Sequence, residues 1–157
     1  MAGAGGVPGA GAARVSDIQL TVLGVAAPQG SKKHVGHGRM VESSKRVGPW
    51  REAIVAEAQR QGVAGAMLDG PLAMTVAILL PRPRGHYGTG RNADVVRPAA
   101  PRAPAGRPDL DKLLRAISDA LTQAAVWRDD SCLCQVSAMK LYADSDPPQA
   151  RIRLREW

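Results

Sequence analysis

A chain of 157 residues is long enough for one domain with one hydrophobic core. Hydrophobic residues make up 45% but include no Phe, so Leu, Val, Ile, Ala and Met must build that core. The net charge of +7 points to a polyanionic partner, nucleic acid first, because each neutralised phosphate releases condensed counterions. Two cysteines are too few for a disulfide framework, and no apolar run reaches the roughly 18 residues of a membrane span. The opening MAGAGGVPGAGAA lacks the basic and Leu-rich parts of a signal peptide. Residues 1–16 read as a disordered Gly/Ala-rich tail, and a reduced, cytoplasmic protein is expected.

From Asp17 onward Ile18, Leu20 and Val22 fall at strand spacing. The stretch 28–46 is Gly-rich and basic, with Lys32, Lys33, His34, His37, Arg39, Lys45 and Arg46, and reads as a loop or loose hairpin. Gly48 and Pro49 open a helix, since proline is preorganised for the first turn. Trp50, Ile54 and Ala58 supply its buried stripe, and Gly62 is a plausible stop. Asp69-Gly70 turns the chain into LAMTVAILL (72–80), whose continuous apolar character predicts a central strand covered on both faces. Residues 81–108 hold many arginines and prolines with Asp94 as the sole acid, and predict a long mobile loop within one domain spanning 17–157.

A second helix is expected from Asp109, with Leu110, Leu113, Leu114, Ile117, Leu121 and Ala124 on its core face. After Val126-Trp127, Arg128-Asp129-Asp130 leads into a strand with Cys132, Cys134, Val136 and Ala138 on one face, the thiols as core residues. Asp146-Pro147-Pro148 turns the chain again, and Arg151, Ile152, Arg153, Leu154 and Arg155 alternate as a last strand with arginines outward. Together these elements predict an α/β (α+β) domain, a small mixed sheet packed with two main helices.

The chemistry concentrates in 107–140. Asp109 sits where an N-cap belongs and Asp111 follows in the first helical turn, an ordinary place for acids that serve free amides and the macrodipole. Asp129 and Asp130 stand at the entry of the next strand, so a helix laid across the sheet could bring these acids together. Clustered carboxylates repel unless a cation joins them, and an all-oxygen set suits Mg²⁺ or Mn²⁺. Acids holding a metal inside a basic, DNA-sized surface describe a phosphodiesterase. Asp111, Arg115 and Asp119 lie at four-residue steps, which makes either a surface ion-pair ladder or a phosphate contact through Arg115 or Lys112. For Asp119 the structural role is favoured. His34-x-x-His37 and Cys132-x-Cys134 match no usual zinc spacing.

The run DLDKLLRAISDALT (109–122), followed by WRDD (127–130) and Lys140, resembles the RusA family of Holliday junction resolvases, often encoded by phages and prophages. LGVAAPQGSKK (23–33) resembles the family's opening turn more weakly, and the resemblance extends over about residues 18 to 155. It implies a homodimeric, Mg²⁺-dependent endonuclease that resolves four-way junctions in DNA recombination and repair, with Asp109, Asp111 and Asp130 as metal-holding catalytic acids. The family's essential basic residue four positions after the second aspartate is commonly Lys, and here it is Arg115. Arginine preserves a phosphate contact but cannot shuttle a proton. Lys32, Lys33, Lys112, Lys140, Arg107 and the neighbouring arginines are expected to contact DNA. The competing readings are a non-catalytic basic DNA-binding module, or a nuclease for flaps and forks.

Overall fold

The computed structural model describes residues 17–30, 32–34, 36–37, 40–42 and 45–157. Strand β1 (Asp17–Leu23) alternates buried and exposed residues throughout, as its period-two pattern predicts. Two three-residue strands, β2 (Lys32–His34) and β3 (Met40–Glu42), pair antiparallel, so the basic stretch is a hairpin. Helix α1 (Val47–Arg60) has Gly48 and Pro49 in its first turn, where no backbone donor is needed, and buries Val47, Trp50, Ile54 and Ala58. Gly62, at φ +70°, lets the chain leave the helix in a left-handed conformation.

Strand β4 (Leu72–Leu80) is central: β6 (Gln149–Glu156) pairs antiparallel on one side and β5 (Leu133–Tyr142) parallel on the other. The sheet order is β1-β6-β4-β5, so β1 and β5 are its edges. Helix α2 (Leu110–Gln123) provides the crossover between the parallel strands, and both helices pack on one sheet face. Its stripe Leu113, Ala116, Ile117, Ala120 and Leu121 is fully buried there against Ile54 and Val76. Trp127 closes the end of this core, and its indole N–H donates to Thr122 Oγ1 at 2.7 Å.

Two details depart from the sequence reading. β4 is not covered by helices on both faces, since Thr75 is exposed and Ala77 half-buried. Its far-face residues Ala73, Thr75 and Ala77 pair instead with Arg155, Arg153 and Arg151 of β6. Cys132 lies in a short 3-10 turn before β5, half-buried, and Cys134 is exposed. Cys132 therefore packs against the margin of the core and Cys134 lies outside it, because an edge strand leaves part of its helix-side face open. The arginines of β6 do point outward, where Arg153 meets Asp17 at 2.6 Å and Arg151 meets Asp146 at 2.8 Å.

Residues 81–108 contain only two 3-10 turns, Arg84–His86 and Gly90–Asn92, yet they are tied down internally and to the sheet. Arg82 makes a bidentate pair with Asp144, with both N···O distances 2.7 Å, donates to the Pro101 carbonyl at 2.8 Å, and lies 4.0 Å over the Tyr142 ring. Arg84 donates to the Ala93 carbonyl at 2.8 Å, and Tyr87 bridges to Val96.

Removing buried volume where the two helices and sheet meet should be costly. Ile117→Ala is expected to destabilise the fold by about 2–5 kcal/mol, read as a lower urea midpoint at unchanged slope. A loss below about 1 kcal/mol would mean that this contact does not carry the core.

Candidate active site

Helix α2 sets the geometry. Asp109 is at its N-cap position with extended backbone, but its side chain makes no capping bond. The carboxylate is half-exposed and instead faces Lys112 Nζ at 3.5 Å, so Asp109 satisfies no free helix amide and serves the helix only through the macrodipole and this i,i+3 pair. Asp111 and Arg115 are exposed one and two turns in, and among the described residues neither makes an ion pair, nor does Asp119. The expected ladder is thus absent, and with it the structural role favoured for Asp119.

Asp119 lines a recess of about 380 Å³ at the far end of α2 with Thr122, Gln123, Asp129, Asp130 and Arg51. Arg51 donates to Gln123 Oε1 at 3.3 Å and places one cation among three acids. The Ser131 hydroxyl and its backbone N–H, the latter 2.9 Å from Oδ1, hold the Asp129 carboxyl below the ordinary carboxylate range. Asp130 adjoins Asp129 and is exposed.

A larger cleft, of about 920 Å³, opens at the other end of α2. Asp109, Lys112, Arg107 and Arg46 stand around it, and its interior is mostly Ala, Pro, Val and Leu with the rings of Tyr142 and His86. Lys140 spends two of its three N–H donors on the carbonyls of Gly106 and Pro108, at 2.8 and 2.9 Å, which fixes the turn that delivers Asp109. The loop after β1 docks here too, through Gln29 N–H to the Lys112 carbonyl at 3.0 Å.

Asp109 and Asp130 therefore belong to opposite ends of one helix. Asp111 and Asp119 alone are separated by about 12 Å along the axis, at 1.5 Å per residue. Among the described residues no group of three His, Cys, Asp or Glu side chains stands close enough to hold a metal ion. One chain brings Asp130 to Asp119 and Asp129, and does not bring it to Asp109 and Asp111. The side chains of Lys32, Lys33 and His34 lie outside the described residues. The recess partners Asp119 and Arg51, and the cleft residues Arg46, His86 and Tyr142, were not singled out as site residues by sequence reasoning. For Asp119 the signal was its spacing of eight from Asp111, whereas the others depend on long-range packing.

The fold is a small α+β domain in which an uncapped aspartate and three cations stand around an apolar cleft. The family model described as endodeoxyribonuclease RusA matches residues 24–155, and the chain belongs to that family. It is a DNA-cutting hydrolase of this class. No curated protein matches the chain. No described helix is long and apolar enough to cross a membrane.

The Arg82 clamp gives a pH-dependent prediction. Arg82, 5% exposed as a side chain, holds the Asp144 carboxyl below its ordinary 3.8. A carboxyl lowered in the folded state stabilises above its unfolded value, and that stability fades as pH falls through the lowered value. An NMR titration should place the Asp144 midpoint under 3.8 and return it towards 3.8 in Arg82→Ala, and equal midpoints in both proteins would contradict the clamp.

Proposed function

We propose that this protein is an endonuclease for four-way DNA junctions that serves recombination and repair. It depends on a divalent ion, Mg²⁺ first and Mn²⁺ as a substitute, and works as a homodimer. The observation that carries the reading is the uncapped Asp109 carboxylate beside Lys112, Arg107 and Arg46, in a chain of the RusA family. Asp109, Asp111 and Asp130 are the acids assigned to the ion, which when bound would activate a water and neutralise charge developing on phosphate. Within a single chain these residues do not fit one ion, because α2 holds them apart.

A second copy answers that separation. β5 is an edge strand of ten residues whose outer side receives no backbone hydrogen bond among the described residues. Val136 (46%), Met139 (46%) and Leu141 (39%) are exposed along it, an unusual density of apolar side chains for a free edge. A two-fold axis beside β5 would run the second strand in the opposite sense. It would carry Asp130 of the second copy towards the end of β5 where Lys140 anchors the start of α2. Paired incision of a junction also calls for two sites related by such an axis.

The chain's own residues then divide the work. Arg107, Arg46 and Lys112 bind and orient phosphates. Arg115, exposed and without an ion pair among the described residues, adds a planar fork for a phosphate and moves no proton. Lys140 positions Asp109 through the 106–108 turn, a role for which its bonds argue more strongly than direct DNA contact.

A labelled four-way junction, a fork and plain duplex should be incubated with and without Mg²⁺. Cleavage is expected for the junction only, with the ion only, and binding should weaken as salt rises. Asp111→Asn and Asp130→Asn should each lose at least the roughly 100-fold that disturbing a metal ligand's outer contacts costs, while still binding the junction. Mixing the two inactive proteins should restore about a quarter of the sites, since half of random pairs are mixed and each rebuilds one of two sites. Binding with no cleavage under any of these conditions would leave a non-catalytic DNA-binding module. Cleavage by the wild type without rescue in the mixture would leave the nuclease and remove the shared site.

A further inference from the structure

We propose that the cleft at the start of α2 receives one unstacked nucleotide of the DNA, an inference that rests on the nuclease reading and assigns that site its specificity element. Three features converge. The cleft, at about 920 Å³, is in the size range of sites that enclose a whole small ligand. Its interior is apolar, with Val25 left 50% exposed on one side and Ala105 exposed on the other. The polar groups around it are Arg46, Arg107 and Lys112 against the single acid Asp109. A flat base, apolar on its faces and attached to a phosphate, matches this distribution, whereas an apolar peptide leaves the cations unpaired and a duplex keeps its bases out of a concavity.

The ring wall is built in advance. Arg82 lies 4.0 Å over Tyr142 and is locked by Asp144 and the Pro101 carbonyl, while His86 meets Tyr142 edge-on at 5.6 Å between centroids. A wall fixed in this way can be met by the face of a base without ordering cost, and every base has such a face. Extruding a base is cheapest where its stack is already interrupted, which is the condition at a branch point. Because Asp109 and Lys112 belong both to this cleft and to the start of α2, the seated nucleotide fixes the register of the strand beside the acids. Junction preference and any preference for the bases at the cut then come from one cavity.

The probe is a four-way junction carrying 2-aminopurine at successive positions around the branch, whose fluorescence rises on unstacking, with one arm labelled for anisotropy. Divalent ions are chelated so that no strand is cut. Wild-type protein at saturating anisotropy should brighten one position several-fold. Ala105→Trp and Val25→Trp fill the cleft from two exposed positions that the core does not use. Each should lose roughly 5-fold or more in junction affinity, the share that stacking one base contributes, and should lack the brightening even at saturation. Circular dichroism confirms that each variant is folded, and the two serve as checks on one another. A junction bound and cut by the wild type with no bright position would overturn the inference alone, as would brightening undiminished in both variants. Absence of junction binding by the wild type would overturn the nuclease reading and this inference with it.

Discussion

The rigidity of one 14-residue helix governs what this molecule can do. Helix α2 is pinned along its length by Leu113, Ala116, Ile117, Ala120 and Leu121, none of which retains solvent exposure, so it can neither bend nor slide without opening the core. At 1.5 Å per residue it is about 21 Å long. Asp109 at one end and the Asp119–Asp129–Asp130 recess at the other are held apart by the same contacts that make the domain stable. No rearrangement of side chains in one chain closes that distance. If the three acids serve one ion, the separation turns the question of chemistry into one of assembly, for which β5 offers an open edge.

The second organising element is Arg82. A guanidinium with a 5% exposed side chain is tolerable only with its donors satisfied, and here Asp144, the Pro101 carbonyl and the Tyr142 face accept it. This one residue joins the start of the 81–108 segment, its distal part near Pro101, and the end of β5. A segment with the composition of a free linker is thereby laid against the sheet and walls a cleft. Lys140 performs the matching task at the segment's far end, through Gly106 and Pro108. Both cations contribute to the net charge of +7 that suggests a polyanion, yet both serve chiefly inside the chain. The charge available to DNA is smaller than the sequence total implies.

Elements with a local period were legible in the sequence. The alternation of Ile18, Leu20 and Val22, the Trp50–Ile54–Ala58 stripe and the apolar face of α2 each declare their structure within a dozen residues. Sheet order is not local, so nothing in LCQVSAMKLY marks it as an edge, and Cys134 was read as buried when it is exposed. The meeting of Asp130 with Asp109 and Asp111 was likewise undecidable. Six residues separate Gln123 from Asp130, and the seven steps between them span about 24 Å when fully extended, enough to return along the helix. What holds them at the far end is the burial of Trp127 and its bridge to Leu68, a long-range pairing that no motif announces. Composition showed that 81–108 could not build a core of its own, and it could not show that Arg82 and Lys140 would fasten it.

The separation of acids also bears on how a nuclease of this form avoids indiscriminate cutting. If the carboxylates assigned to the ion come from two chains, a lone copy holds an incomplete set, and the chemistry waits on assembly. If the cleft beside Asp109 must also be filled by an unstacked base, intact duplex meets cations but cannot seat a strand in register. Binding and incision then answer to different features of the DNA. Exposed cations such as Arg107 and Arg46 respond to any phosphate backbone, with a strength set by salt. The acids respond only where a branch supplies both a second incision partner and a base already free of its stack. On that reading basic surface alone gives affinity, and the fixed length of α2 converts that affinity into a choice of substrate.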